Sequence, residues 1–106
     1  MDNDVARLVE EFHHTWDTFP GVARIIDRKH KIIAANPIAE KAGFTVGVIC
    51  AKVGAPKSHR DCKMMKMFQT GETQIDHVLP DRIRGWMPIP GQPDLCIHFG
   101  LPLLRE

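Results

Sequence analysis

The sequence contains no tyrosine, few cysteines and no marked excess of charge of either sign. Its three cysteines, Cys50, Cys62 and Cys96, are an odd number, which argues against a disulfide framework and for thiols or metal ligands in a reducing compartment. The formal net charge is +1, so no long-range electrostatic field indicates nucleic acid or an anionic membrane as a partner.

Membrane-spanning, secretory and catalytic patterns are also missing. No stretch approaches the roughly 20 consecutive apolar residues of a transmembrane helix, and the acidic first residues, MDNDVARLVEE, lack the apolar core of a signal peptide. No glycine-rich phosphate loop, Ser-His-Asp arrangement or nucleophile elbow is visible. We therefore expect a cytoplasmic protein without membrane or nucleic-acid partners, and we expect it not to be an enzyme.

The first residues predict an amphipathic helix over residues 2–19, ended by Pro20-Gly21. This apolar stripe needs a covering surface, which is either the chain's own sheet or the same helix of a second copy. We divide the 106 residues into a flanking helix at 1–20 and one domain at 21–106. The apolar residues of the stripe are Val5, Leu8, Val9, Phe12, Trp16 and Phe19.

A strand, a polar turn, a second strand and a short helix follow the first helix. β-Branched residues predict a strand over Val22–Ile26, and the polar sequence DRKH after it fits a hairpin turn. The return strand contains Ile32. Asn36 is suited to cap a helix whose first residue is Pro37, because proline lacks an N–H that would be unpaired there, and Gly43 ends that helix.

The second half of the chain predicts one longer helix and three strands. The helix is predicted over Ser58–Thr70, with the Ser58 side chain as its cap, and the strands over Thr73–Leu79, Arg82–Met87 and Asp94–Leu103. Residues 88–93, PIPGQP, are predicted as a turn because proline cannot donate a hydrogen bond within a sheet. The order of elements gives an α+β fold: a five-stranded antiparallel sheet with helices on one face and an N-terminal amphipathic helix.

The sequence IIDRKHKIIAANPIAEKAGF resembles the opening of a PAS sensor domain. The matching residues are Asp27, Ile32, Asn36, Ala39 and Gly43, whereas His30 stands where a glycine is common. The later sequence FQTGET, followed by a strand, resembles the end of the long PAS helix. The resemblance covers residues 21–104 and implies a PAS-like sheet, a ligand cavity between sheet and helices, and homodimers formed through flanking helices.

The resemblance also implies a regulatory, signal-sensing module that binds a small ligand or a partner. Such a module acts through dimer contacts on an output domain or a signalling protein. A dimerisation module with a filled core and no ligand is an alternative interpretation. Strand alternation and position suggest that the cavity is lined by Ile25, Ile33, Phe44, Met67, Phe68, Trp86, Ile97 and Phe99.

A second candidate site is the Cys-x8-His-x2-Cys pattern of Cys50, His59 and Cys62. Two thiolates and an imidazole can bind zinc or iron, which suggests metal sensing or, through the two thiols, redox sensing as an alternative function. The cysteines could equally be small apolar core residues. His98 could donate to a bound ligand or bind haem, but no haem-attachment motif occurs and we do not expect haem. A fourth metal ligand would be water or one of Cys96, His98 and His77.

Overall fold

The computed structural model describes residues 3–49, 63–78 and 82–102 of the chain. The helices are α1 (Asn3–Trp16), α2 (Pro37–Lys41) and α3 (Met64–Thr70). The strands are β1 (Val22–Asp27), β2 (Ile32–Ala35), β3 (Gln74–Val78), β4 (Arg82–Ile89) and β5 (Gln92–Pro102).

The strands form one antiparallel sheet in the order β2-β1-β5-β4-β3. Strands from the two ends of the domain are neighbours, because β1 pairs with β5 from Val22↔Gly100 to Asp27↔Leu95. β5 is therefore the central strand, and β2 and β3 are the edges. The predicted α+β fold, with its five-stranded antiparallel sheet and N-terminal helix, is confirmed.

Different helices cover the two faces of the sheet. Because side chains alternate along a strand, the consecutive residues Ile25 and Ile26 belong to opposite faces. We call the first the α1 face; its buried residues are Phe12, Ala23, Ile25, Ala34 and Ile89. We call the second the α2–α3 face; its buried residues are Ile26, Ile32, Ala35, Ala39, Met64, Met67, Trp86 and Cys96.

Helix α1 packs its apolar stripe on the sheet of its own chain. This was one of the two covering surfaces considered from the sequence; the other was the same helix of a second copy. Phe12 is buried, and Trp16 and Phe19 pack against the same cluster. The Trp16 ring stacks on the Phe99 ring with centroids 6.0 Å apart, and Phe19 meets that ring edge-on at 6.1 Å. These aromatic contacts hold the end of α1 against the central strand.

The β1–β2 turn explains why glycine is common at the position of His30. His30 has φ 66°, a left-handed conformation that non-glycine residues seldom adopt. The Asp27 carboxylate stabilises the turn by accepting hydrogen bonds from the backbone N–H groups of Lys29 at 2.8 Å and Lys31 at 2.9 Å. The aspartate thus supports a backbone conformation that histidine alone would disfavour.

Two predicted boundaries were wrong. The helix predicted over Ser58–Thr70 begins at Met64, after Lys63, whose side chain makes no capping bond; residues 58–62 lie outside the described part. The predicted turn at 88–93 shrinks to Pro90-Gly91, because β4 continues to Ile89 and β5 begins at Gln92. Proline is tolerated at Pro88 because the pairing of β4 with β3 ends at Trp86, so β4 is an edge strand there.

The fully buried Asn36 joins three elements through its side-chain amide. Its Oδ1 accepts from the backbone N–H of Ala23 in β1 at 3.1 Å and of Ala39 in α2 at 3.0 Å. Its Nδ2 donates to the carbonyls of Trp16 at 3.0 Å and Gly21 at 2.9 Å. The predicted helix cap is confirmed, and the same side chain also anchors the end of α1.

We expect Asn36→Ala to lower the free energy of unfolding by about 2–4 kcal/mol, because buried groups left without a partner cost about 1–3 kcal/mol each. Chemical denaturation measures this loss. Asn3→Ala, at the exposed start of α1, is the matched control and should change stability by less than about 1 kcal/mol. Equal losses in the two variants would contradict the assigned role of Asn36.

Candidate ligand-binding site

A row of polar side chains crosses the α2–α3 face of the sheet. Arg24 in β1 lies opposite His98 in β5, His98 lies opposite Trp86 in β4, and Trp86 lies opposite Gln74 in β3. Directly opposed residues of antiparallel strands point to the same face. The row therefore shares the face of Trp86, which belongs to the α2–α3 cluster.

Three of the four members of this row are buried to an unusual degree for residues with polar groups, whereas Gln74 is half-buried. Arg24 is 3% exposed, His98 is 9% exposed and Trp86 is 0% exposed. Arginine and histidine are rarely so buried without a specific partner or role. The row is therefore the strongest candidate for a polar recognition site in the described part of the chain.

Cross-strand stacking fixes the orientation of His98 and Trp86. Their rings are nearly parallel, at 10°, with centroids 4.7 Å apart. The Nδ1 atom of His98 lies 2.8 Å from the carbonyl oxygen of Gly85. Since a carbonyl can only accept, Nδ1 bears the hydrogen, and Nε2 is an acceptor in the neutral ring and a donor in the charged ring.

The indole N–H of Trp86 is a buried donor whose acceptor is missing among the described residues. Its Nε1 is inaccessible to solvent and has no hydrogen-bond partner there. Leaving such a donor unsatisfied costs about 1–3 kcal/mol, so native proteins keep few of them. An acceptor atom of a bound molecule would remove this cost.

Arginines stack on aromatic rings along the same face. The Arg24 guanidinium lies 4.2 Å from the centre of the Phe44 ring, and that of Arg84 lies 5.1 Å from the centre of the Trp86 ring. The Asp76 carboxylate accepts from Arg84 Nε at 2.9 Å and from its Nη2 at 3.3 Å. These contacts restrict the side chains and so preorganise the polar row.

A further arginine joins the hairpin to α3. The Arg28 guanidinium lies 4.3 Å from the centre of the Phe68 ring. Its Nε donates to Asp94 at 2.8 Å and its Nη2 to the Pro93 carbonyl at 3.1 Å. The contact closes one end of the α2–α3 face by holding α3 to the turn after β1.

The eight residues predicted to line one cavity lie on opposite faces of the sheet. The structure brings together four of them on the α2–α3 face: Phe44, Met67, Phe68 and Trp86. The other four pack on the α1 face: Ile25, Ile33, Ile97 and Phe99. One cavity cannot be lined by all eight, because the sheet separates the two groups.

Sequence reasoning missed Arg24, and although it considered His98 as a donor to a bound ligand, it did not place His98 among the eight residues predicted to line the cavity. Strand alternation along β5 places Cys96 and His98 on one face of the strand, but it does not say which face the helices α2 and α3 cover. The prediction therefore placed the apolar residues Ile97 and Phe99 in the cavity lining, although Cys96 and His98 are the ones on the face that α2 and α3 cover. The informative signal was the opposition of Arg24 and His98, which requires the register of β1 with β5.

The predicted metal ligands Cys50, His59 and Cys62 lie outside the described residues. Of the proposed fourth ligands, Cys96 and His98 are buried on the α2–α3 face, whereas His77 is exposed on the edge strand β3. Within residues 3–49, 63–78 and 82–102, no group of three or more His, Cys, Asp or Glu side chains could hold a metal ion. In the same residues, no helix is long and apolar enough to cross a membrane.

We expect Asp76→Asn to lower the free energy of unfolding by about 1–3 kcal/mol, because it breaks a largely buried, charge-assisted pair. The side chains of Arg84 and Asp76 are 11% and 14% exposed. The similar pair of Arg28 and Asp94 is 45% and 77% exposed, so Asp94→Asn should cost less than about 1 kcal/mol. Denaturation of both variants tests this difference, and equal losses would contradict it.

The whole fold is similar to the crystal structure of a sensory box sensor histidine kinase from Vibrio cholerae. The TM-score is 0.68, and the similarity covers 96% of this chain and 94% of that chain at 10% sequence identity. No protein-family model and no curated protein matches the sequence. At this identity the similarity shows the fold alone, which is the PAS-like five-stranded sheet with helices.

Proposed function

We propose that the chain is a sensory module that binds a small molecule between the sheet and helices α2 and α3. The single observation that supports this most strongly is the buried Trp86 N–H, which has no acceptor among the described residues and lies in a row with buried Arg24 and His98. The Vibrio cholerae protein of the same fold is described as a sensor histidine kinase. An output domain or signalling protein is the corresponding partner for this chain.

The same residues connect the proposed site to α1 on the opposite face. The Gly85 carbonyl accepts from His98 Nδ1, while a Cβ added to Gly85 would meet the Phe99 ring on the α1 face. The Phe99 ring in turn packs on Trp16 and Phe19. A shift of the strands beneath His98 would therefore reach the end of α1 through direct contacts.

Asn36 provides a second connection. It caps α2, which lies on the α2–α3 face, and donates to the carbonyl of Trp16 at the end of α1. A small molecule can shift the packing of α1 only if it binds two arrangements of these elements with different affinity. The geometry supports such a difference because both connections consist of direct contacts that run from the α2–α3 face to the end of α1.

The test begins with a thermal-shift screen of a library of small metabolites against the purified chain. Compounds that raise the melting temperature are then examined by calorimetry and by hydrogen–deuterium exchange. We expect at least one compound to bind and to change the exchange protection of α1 (Asn3–Trp16), because the contacts above join α1 to the site. The absence of any binding compound, or binding without a change in α1, would overturn the proposal.

Two phenylalanines on opposite faces provide matched variants for this test. Phe68→Ala removes a partly buried ring from the α2–α3 face and should weaken binding by about fivefold or more, since an aromatic ring covered by a ligand contributes roughly 1–3 kcal/mol. Phe19→Ala removes a ring from the α1 face and should leave the affinity within about twofold while reducing the response of α1.

A second copy of the chain is the proposed partner on the α1 face, extending the dimer expected from the flanking helix. Beside the cluster that α1 packs against, the face continues with apolar residues that are exposed at Ile75 and partly exposed at Ile83, Met87 and Leu101. Exposed apolar patches of this kind mark interaction surfaces. A symmetric dimer would bring two copies of this patch together.

Analytical ultracentrifugation over a concentration series tests the dimer. We expect the wild-type chain to dimerise and Ile75→Glu to shift it to monomer, because a buried unpaired charge is costly. Val46→Glu is the matched control, since Val46 is similarly exposed but lies in the loop after α2. A monomeric wild type, or equal effects of the two substitutions, would contradict this interface.

A further inference from the structure

We propose that the molecule bound on the α2–α3 face is a small carboxylate, and that one of its oxygens accepts a hydrogen bond from the Trp86 indole N–H. This inference rests on the proposed function, whose site it uses, and adds the chemical class of the ligand.

The indole of Trp86 sets the first requirement. An indole N–H can only donate, so the bound molecule has to present an acceptor atom to it. Trp86 is 0% exposed and its Nε1 has no partner among the described residues. An acceptor brought to this atom would satisfy a buried donor without displacing a described contact.

The guanidinium of Arg24 sets the second requirement. It is positively charged and has five N–H donors, so it can serve more than one acceptor at a time. Neighbouring strands lie about 4.8 Å apart, so the backbones of Arg24 and Trp86 are separated by about 10 Å, with His98 between them. Side chains from these two positions can converge on a small molecule above the imidazole.

Two acidic side chains near the row, both among the described residues, bind arginines that lie outside it. Asp76 accepts from two nitrogens of Arg84, and Asp94 accepts from Arg28. A guanidinium donates charge-assisted hydrogen bonds to either acceptor, but a carboxylate adds the attraction of opposite charges and can accept two parallel bonds. A carboxylate therefore fits the row better than an amide of the same shape.

The experiment is isothermal titration calorimetry with acetate, propionate, pyruvate and benzoate, each compared with its own amide. Sodium chloride keeps the ionic strength constant, so that a nonspecific salt effect is the same in every titration. We expect saturable binding of at least one carboxylate at one molecule per chain. The amide of that compound should bind about tenfold more weakly or worse.

Substitutions then assign the binding to the row. Trp86→Phe removes the N–H and should weaken the carboxylate by about five- to tenfold, and Arg24→Gln by about tenfold or more. Arg82→Gln is the matched control, because Arg82 is exposed on the same strand as Trp86, and it should leave the affinity within about twofold. Circular dichroism verifies that each variant folds; if Arg24→Gln does not, Trp86→Phe decides.

Three results would overturn the inference: no saturable binding of any of the four carboxylates, equal affinity for a carboxylate and its amide, or unchanged affinity in Trp86→Phe. These results are separate from the failure of the proposed function. A neutral metabolite that binds and is weakened by Phe68→Ala would overturn the carboxylate while supporting a sensory site on the α2–α3 face. Failure of every library compound to bind would overturn both.

Discussion

The structure depends on one buried amide. Asn36 satisfies two donors and two acceptors that belong to β1, to α2 and to the segment that leaves α1. Because this amide is buried, water cannot replace a protein partner that moves away. Its four hydrogen bonds therefore favour one arrangement of the three segments. A single side chain therefore links the position of the helix on one face to that of the helix on the other.

The second constraint is that side chains on the two faces of the sheet are attached to the same thin layer of backbone. Consecutive residues of β4, Gly85 and Trp86, belong to opposite faces, as do His98 and Phe99 of β5. Because Gly85 lacks a side chain, the Phe99 ring lies directly against its backbone, while the Gly85 carbonyl accepts from the imidazole. The polar row and the aromatic packing of α1 thus share one stretch of backbone, and neither can move far without the other.

The order of elements was predictable because it depends on local chemistry. Asn36 followed by Pro37 predicts a helix start, and the strand periods predict five strands. The assignment of faces was not predictable, since alternation separates Cys96 from Ile97 without saying which helix covers each. Arg24 was missed for a related reason: its burial depends on Phe44, His98 and the covering layer, and a charged residue within a strand by itself suggests exposure.

The two faces of the sheet bury different kinds of side chain. On the α1 face the cluster is apolar, with Phe12, Trp16, Phe19 and Phe99 packed around aliphatic side chains. On the α2–α3 face, the same strands bury Arg24, His98 and the Trp86 N–H. Well-packed apolar residues are as stabilising as buried charges, or more so. Since the chain builds an apolar layer on one side, stability does not require the polar row on the other, and recognition of a polar molecule gives a physical reason for it.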